Sequence, residues 1–461
     1  MNNKAITQGK TIAAISTAQG VGGIGVIRVS GADALAVGDR VFQSAKGKSL
    51  SNLDGYTAAY GRIVADGEAV DEAVALVFRA PHSYTGEDVV EFSCHGGLYL
   101  TRRVLRAVLD AGAEAAQPGE FTRRAFLNGK MGLTEAESVM DMIGAKGRQA
   151  ARAALAGRDG AIHRAIGSVK DSLIFAAAHL SAWADYPEED IPQVEREELS
   201  ARLEAGKKAL SRLLSQYDAG RAIREGLNTV IAGRPNVGKS TLMNLLSGCE
   251  RSIVTEIPGT TRDVVEETVL VGDITLRLSD TAGIRSTQDR VERIGVDLAK
   301  NRVESADLVL AVFDASQALN EDDKALLDSL QGAPAIAVVN KTDLESKIDI
   351  KYIKSKIKQI VFLVASQGAG LDGLQRALEE VAGTRELDPS QGILATERQQ
   401  QAAKEALSCV EEGLDALNMG MTLDAVTVSI EGAIQALLEL TGERASEAVV
   451  DQVFHRFCVG K

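Results

Sequence analysis

The chain lacks the patterns that staple, anchor or export a protein. Its four cysteines, Cys94, Cys249, Cys409 and Cys458, lie far apart in sequence. Such spacing offers neither a zinc-ligand pair nor a disulfide framework, and it fits a reducing compartment. The five histidines are scattered too. Cys94-His95 reads as a strand end leading into the Gly96-Gly97 turn. No apolar run approaches the roughly 20 residues that span a bilayer. The N-terminus has no basic start followed by a long apolar core, so no signal peptide is expected. Cys458-Val459-Gly460-Lys461 fails as a prenylation box, because Gly460 is not aliphatic and Lys461 is not a usual final residue. A cytoplasmic protein without membrane contact is expected. Positive charge is also short: the formal net charge is −13 and the pI about 5.1. That excludes a free-standing nucleic-acid binder held by a broad basic surface. Any RNA contact must be local or come from a basic partner. There is no internal repeat and no low-complexity segment.

What is present is enough for about three domains in 461 residues. Residues 1–125 mix strands and helices. Thr11–Ser16 and Gly25–Ser30 read as strands around the Gly20-Val21-Gly22-Gly23 turn, with β-branched Val26, Ile27 and Val29. Thr57–Val64 and Glu68–Arg79 flank Asp66-Gly67, a hairpin signal. Asp88–Cys94 is a further strand, and Leu98–Leu109 a helix with Leu98, Leu105, Val108 and Leu109 on one face. From 126 to 222 the pattern is helical, over Glu135–Gly144, Gln149–Ala156, Ile166–Asp185 and Glu195–Tyr217. Residues 223–383 alternate strands and helices, with strands at Thr229–Ala232, Thr275–Ser279, Leu308–Phe313, Ala335–Val339 and Ile360–Val364. This is the pattern of a mostly parallel sheet covered by helices. From 384 to 461 helices return, over Ala395–Asn418 and Leu423–Thr441. The expected architecture is a multidomain α/β protein: an N-terminal α+β domain, then an all-helical domain interrupted by an inserted Ras-like P-loop domain.

Gly233-Arg234-Pro235-Asn236-Val237-Gly238-Lys239-Ser240 has the form G-x-x-x-x-G-K-S between a strand and a helix. The glycines let backbone N–H groups converge on a phosphate, Lys239 adds charge, and the following helix adds the positive end of its dipole. The Ser240 hydroxyl suits Mg²⁺. Asp280-Thr281-Ala282-Gly283 follows a strand, where its carboxylate can hold Mg²⁺ through water and the Gly283 N–H can face the γ-phosphate. Asn340-Lys341-Thr342-Asp343 follows another strand. Asp343 can accept two hydrogen bonds from a guanine edge that adenine does not match, so a GTPase is expected. Gly259-Thr260-Thr261-Arg262-Asp263 lies between these motifs, and Thr261 suits Mg²⁺ as a switch residue. Many GTPases place a water-orienting glutamine after the D-x-x-G glycine. Here Ile284 stands there, so another group must act. Glu292 is one of several downstream carboxylates that qualify.

Several stretches together resemble the MnmE (TrmE) family of bacterial tRNA-modification GTPases, over essentially the full length. They are Gly22-Gly23-Ile24-Gly25-Val26-Ile27-Arg28-Val29-Ser30-Gly31, Tyr84-Thr85-Gly86-Glu87-Asp88, Pro118 to Lys130, the P-loop, Asp280 to Arg285, Val291-Glu292-Arg293-Ile294-Gly295 and the terminal Cys458 to Lys461. The resemblance implies work with the FAD-dependent partner MnmG (GidA) on the wobble uridine of certain tRNAs. A carboxymethylaminomethyl or aminomethyl group would be installed at carbon five, with a 5-formyl- or methylene-tetrahydrofolate as one-carbon donor. It implies that the first domain binds folate and forms a homodimer, with Arg28, Glu91, Lys130 and Lys461 as folate contacts. It assigns Cys458 to the modification and Glu292 to orienting the attacking water. It implies a K⁺ ion in place of an arginine finger, held by Asn236, Thr255, Ile257 and Thr260 between paired G domains. The implied GTP-binding set is Asn236, Val237, Gly238, Lys239, Ser240 and Thr241; Thr255, Glu256, Ile257, Pro258, Gly259, Thr260 and Thr261; Asp280, Thr281, Ala282 and Gly283; Asn340, Lys341 and Asp343; and Val364, Ala365 and Ser366. The last three depart from the Ser-Ala-Lys usual in the family. A ribosome-assembly GTPase of the Era or Der type is the alternative, but no KH module follows residue 384 and there is no second G domain. A stand-alone folate-dependent transferase with a regulatory G domain also remains open.

Overall fold

The computed structural model describes residues 10–185, 195–248, 267–278, 306–455 and 457–460. The chain divides into two compact units, Met1–Met140 with Leu438–Lys461, and Asp141–Leu437.

The first unit is built on a seven-stranded sheet in the order β3-β4-β5-β6-β2-β1-β7. Its strands are β1 (Ile12–Ile15), β2 (Ile24–Ser30), β3 (Phe42–Ser44), β4 (Thr57–Ala65), β5 (Glu68–Phe78), β6 (Val89–His95) and β7 (Glu114–Ala115). Neighbours pair antiparallel except β1 with β7. Asp66 and Gly67 both take positive φ, 54° and 80°, the conformation that a two-residue hairpin turn needs. Alternation along the strands sends Ile27, Val29, Ala75, Val77, Val90 and Phe92 into one core with the helices Ala34–Val41 and Leu98–Asp110. The buried stripe of the second helix is Thr101, Val104, Ala107 and Val108. Leu98, expected on that face, is 41% exposed, because it opens the helix beyond the sheet's cover. The helices Ala34–Val41 and Glu120–Leu127 were not legible in the sequence: each is eight residues long, too short for a clear period.

The C-terminal segment completes this unit. Helix Glu447–His455 brings Val450, Phe454 and Phe457 against Leu133 and Ala136. Gly460 takes φ +98°, and a Cβ there would collide with the Ile15 carbonyl oxygen, so only glycine fits the approach. Ser16 Oγ donates to Gly460 O at 3.1 Å, and the Gly119 N–H donates to Cys458 O at 3.3 Å.

The second unit carries a six-stranded sheet in the order β13-β12-β11-β8-β10-β9. The strands are β8 (Leu227–Ala232), β9 (Glu267–Val271), β10 (Ile274–Leu278), β11 (Leu308–Asp314), β12 (Ala335–Asn340) and β13 (Gln359–Phe362). All pairs are parallel except β9 with β10. Every residue of β11 and β12 is buried, as expected for central strands covered on both faces. The final strand ends at Phe362 rather than Val364, which instead bridges Ala369. β9 is an edge strand with no counterpart in the sequence reading.

Helical segments of the same unit pack beside one another. The helix expected over Glu195–Tyr217 is two, Arg196–Ser215 and Tyr217–Glu225. The second of these helices ends at Gly226, which takes φ +77°. Leu199, Leu203 and Leu210 are fully buried, and helix Glu397–Asn418 packs on Arg196–Ser215. Small residues make the close approach possible, with Gly413 lying beside the Leu203 side chain. No helix among the described residues is long and apolar enough to cross a membrane.

Candidate nucleotide site

Strand order places the site. β8 has β10 on one side and β11 on the other, so the direction of winding reverses there. Loops leaving the carboxyl ends of strands at such a point open a crevice for ligands. Three loops meet in it: Gly233 to Gly238 after β8, Ala315 to Gln317 after β11, and Lys341 to Asp343 after β12.

The first loop is shaped by its glycines. Gly233 has φ +145° and Gly238 φ +102°. A Cβ on Gly233 would strike the Val312 carbonyl oxygen, and one on Gly238 would strike Asn340 Nδ2. Asn236 is left-handed as well, at φ +63°, a conformation that asparagine tolerates better than most residues. Val237 points inward and is 1% exposed. Lys239 opens the helix Lys239–Gly248, and its Nζ donates to Gly233 O at 2.6 Å and Arg234 O at 2.8 Å. The ammonium is thus held over the loop at the helix N-terminus, an arrangement suited to an anion. Ser240 and Thr241 are exposed on the first turn of that helix. From behind, Arg234 Nε meets the buried Asp323 Oδ2 at 3.4 Å.

Asn340 joins three loops. Its Nδ2 donates to Val237 O at 3.0 Å, and its Oδ1 accepts the Ala365 N–H at 3.0 Å. The side chain is buried with both polar ends satisfied, so either bond lost leaves a buried orphan. Lys341 takes φ +60° and donates to Asn236 O at 2.9 Å and Asp314 Oδ2 at 2.7 Å. Burial pushes the Asp314 carboxyl up, but bonds from Lys341 and from the Ser316 hydroxyl and N–H outweigh it and hold the group below its usual range. Thr342 binds Leu363 O through its hydroxyl at 3.2 Å. Asp343 is exposed beyond this brace. Val364 and Ala365 are buried and Ser366 exposed.

Asp314, Asn340 as a bridge, and Asp323 have roles that sequence reasoning missed. Asp314 carried a usable signal, a polar residue at the carboxyl end of an apolar strand, the position shared by Asp280 and Asn340 in the sequence. The other residues named for this site lie outside the described residues: Thr255, Glu256, Ile257, Pro258, Gly259, Thr260, Thr261, Asp280, Thr281, Ala282, Gly283, Ile284 and Glu292.

A second cluster lies in the first unit. Arg28 and Glu91 are directly opposite on β2 and β6, and Nε meets Oε1 at 2.7 Å. The Arg28 guanidinium lies 5.4 Å from the Tyr84 ring centre and 5.5 Å from that of Phe121. Its Nη1 is buried without a hydrogen-bond partner. Lys130 is exposed and donates to Pro81 O at 3.0 Å; its side chain lies beside Gly86, two residues from Tyr84. Cys458 is a free, exposed thiol. Lys461 lies outside the described residues.

Comparison with known proteins covers both units. A family model described as GTP-binding protein TrmE N-terminus matches residues 11–130, and one described as MnmE helical domain matches 133–458. The tRNA modification GTPase MnmE of Symbiobacterium thermophilum is 45% identical over 456 residues, covering 98% of this chain and 99% of that one. Those of Heliobacterium modesticaldum and Alkaliphilus metalliredigens are 43% and 41% identical, each over 98% of this chain. With the loop after β8 tied to the loop after β12 through Asn340, and with relatives matching 98% of its length, the chain belongs to the MnmE (TrmE) family of tRNA-modification GTPases.

Proposed function

We propose that the chain hydrolyses GTP to drive modification of carbon five of the wobble uridine in certain tRNAs, acting with an MnmG-type FAD-dependent partner. The observation that carries this reading is identity of 45% over 98% of the chain with a relative of that name. The proposed division of labour is 1–125 for tetrahydrofolate binding and dimerisation, 126–222 and 384–461 for the helical domain, and 223–383 for the G domain.

In the G domain, Lys239 and the loop N–H groups hold the phosphates, Ser240 and Thr261 hold Mg²⁺, and Asp280 to Gly283 close on the γ-phosphate. Asp343, Asn340 and Lys341 select guanine, with Val364 to Ser366 contributing backbone groups. Asn236, with Thr255, Ile257 and Thr260, holds K⁺, whose charge offsets that developing on the phosphate. Glu292 orients the attacking water. The left-handed Asn236, its carbonyl held by Lys341, supports a ligand role, because its backbone is shaped by contacts that do not depend on an ion. In the first domain, Arg28, Glu91, Lys130 and Lys461 hold the folate donor. The orphaned Arg28 Nη1 beside two aromatic rings supports a ligand that accepts a hydrogen bond and stacks. Cys458 takes part in the modification.

Nucleoside analysis of tRNA from cells lacking the protein tests the reading. An unmodified carbon five is expected, and a normal profile overturns it. GTP turnover is expected to be at least about tenfold faster in K⁺ than in Na⁺ at equal ionic strength, the size of effect that one charge stabiliser gives. Equal rates remove the cation from the mechanism.

A further inference from the structure

Helix Arg148–Arg158 carries a charge pattern that neither site uses. Between Asp141 and Asp159 the sequence has four basic residues, Lys146, Arg148, Arg152 and Arg158, and no acidic one. This stands out in a chain of net charge −13, where any RNA contact has to be local. The helix buries Ala150, Ala154 and Gly157. At about 100° per residue, Arg148, Arg152 and Leu155 fall on the opposite face and Arg158 on its flank, about 120° round from Arg152, and all four are exposed.

The face is presented in a fixed pose. The Arg148 N–H donates to Asp273 Oδ1 at 3.1 Å, so the turn between β9 and β10 supplies the carboxylate that helix N-termini favour. Gly147 lies against the Asp273 backbone, where a Cβ would sit 3.1 Å from its carbonyl oxygen. At the other end, Gly160 takes φ +80°.

Direct ion pairs are lacking. Among the described residues, no guanidinium of Arg148, Arg152 or Arg158 forms an ion pair or a side-chain hydrogen bond. Asp388 takes its direct bonds from the Ser390 hydroxyl at 2.7 Å and N–H at 3.0 Å and from Gln391 at 3.2 Å; these and, least, the charge of Arg152 hold its carboxyl below the usual range, and Asp273 accepts the Arg148 N–H. Beside the helix, burial and, to a lesser degree, the charge of Arg277 push the Lys146 amine below its usual range. Exposed charge with no partner is a source of positive potential.

We propose that this face binds the phosphodiester backbone of RNA, with Arg148, Arg152 and Arg158 meeting phosphate oxygens. Guanidinium groups match phosphate bidentately where ammonium groups do not. Arg148 and Arg152 are four residues apart, about 6 Å along the helix, on the scale of neighbouring phosphates in one strand. An acidic protein would need apolar anchors as well, and this face offers only Leu155. The identity of the RNA as tRNA rests on the function proposed above; the surface itself does not.

The test is binding of a labelled, unmodified tRNA transcript to the full chain across a salt series. The triple variant Arg148→Gln, Arg152→Gln, Arg158→Gln is expected to bind at least about tenfold more weakly at low salt. Its slope of log affinity against log salt should be less negative by about 2, since each lost phosphate contact removes about 0.7–0.9. The triple Lys variant should keep most of the slope. Thermal unfolding and GTP turnover should stay within about twofold of the parent, as surface changes of this kind usually leave stability nearly unchanged. Wild-type affinity and slope in the Gln variant overturn the proposal, as does a wild-type chain with no salt-dependent tRNA binding. Unchanged tRNA binding with loss of a protein partner would reassign the face to that partner. Normal wobble nucleosides in cells lacking the chain, together with a lost slope in the Gln variant, would overturn the tRNA function and keep the RNA surface.

Discussion

Asp343→Asn is expected to reverse the base preference of the protein, lowering the ratio of GTP to XTP affinity by about 10⁴-fold, the range seen when a site built to hydrogen-bond a group meets an analogue without it. Guanine presents a ring N–H and an amino group to Asp343, both donors, and a carboxylate offers two acceptors. Xanthine replaces the amino group with a carbonyl, so an amide side chain, one acceptor and one donor, fits it instead. The geometry makes the effect large. Lys341, in left-handed backbone, is tied to Asn236 O and Asp314. Thr342 is tied to Leu363 O, and the Leu344 N–H closes the turn on Lys341 O at 3.1 Å. Asp343 projects from this braced turn with its carboxylate unengaged among the described residues. Competition of GTP and XTP against a fluorescent guanine nucleotide reads the change. An unaltered preference would move base recognition to another residue.

Lys239→Ala is expected to lower GTP turnover by about 10³-fold, comparable to loss of a principal electrostatic stabiliser. The ammonium sits at a helix N-terminus and is anchored to two carbonyls of its own loop, Gly233 O and Arg234 O. Its charge therefore lies where phosphate charge grows, with little reorganisation needed. Lys239→Arg should not rescue turnover, because a planar fork cannot keep both loop contacts and also reach the phosphate as a point charge. Lys239 is only partly buried, so neither variant should lower the unfolding temperature by more than a few degrees, about what 1 kcal/mol does to a domain of this size. Single-turnover hydrolysis, with unfolding followed in parallel, separates chemistry from folding. A variant with near-parent turnover would show that the loop N–H groups and the metal suffice.

Much of the nucleotide site was legible because its signals are local. Gly233, Gly238 and Lys239 are diagnostic within eight residues, and the apolar runs of β8, β11 and β12 mark buried parallel strands without any knowledge of their neighbours. The Asp66-Gly67 turn and the helix Leu423–Thr441 were equally plain, since turn chemistry and a long period belong to the segment itself. β9 was missed because an edge strand of five residues carries too short an alternation to stand apart from its surroundings. Leu98 was misplaced because residue type suggests a buried face, while only the extent of the sheet decides which turn of the helix is covered.

The sequence by itself therefore pointed to the chemistry: a loop of the phosphate-binding form, a carboxylate placed to select guanine, and an alternation of strands and helices around them. Tertiary structure alone decided which of these groups meet. The Arg28–Glu91 pair depends on the register of β2 with β6. The hold of Asn340 on Val237 and Ala365 depends on β8 and β12 both flanking β11. The return of Gly460 to Ser16 spans 444 positions. Such contacts follow from how whole elements bury their apolar faces together, and no local pattern of residue types encodes that.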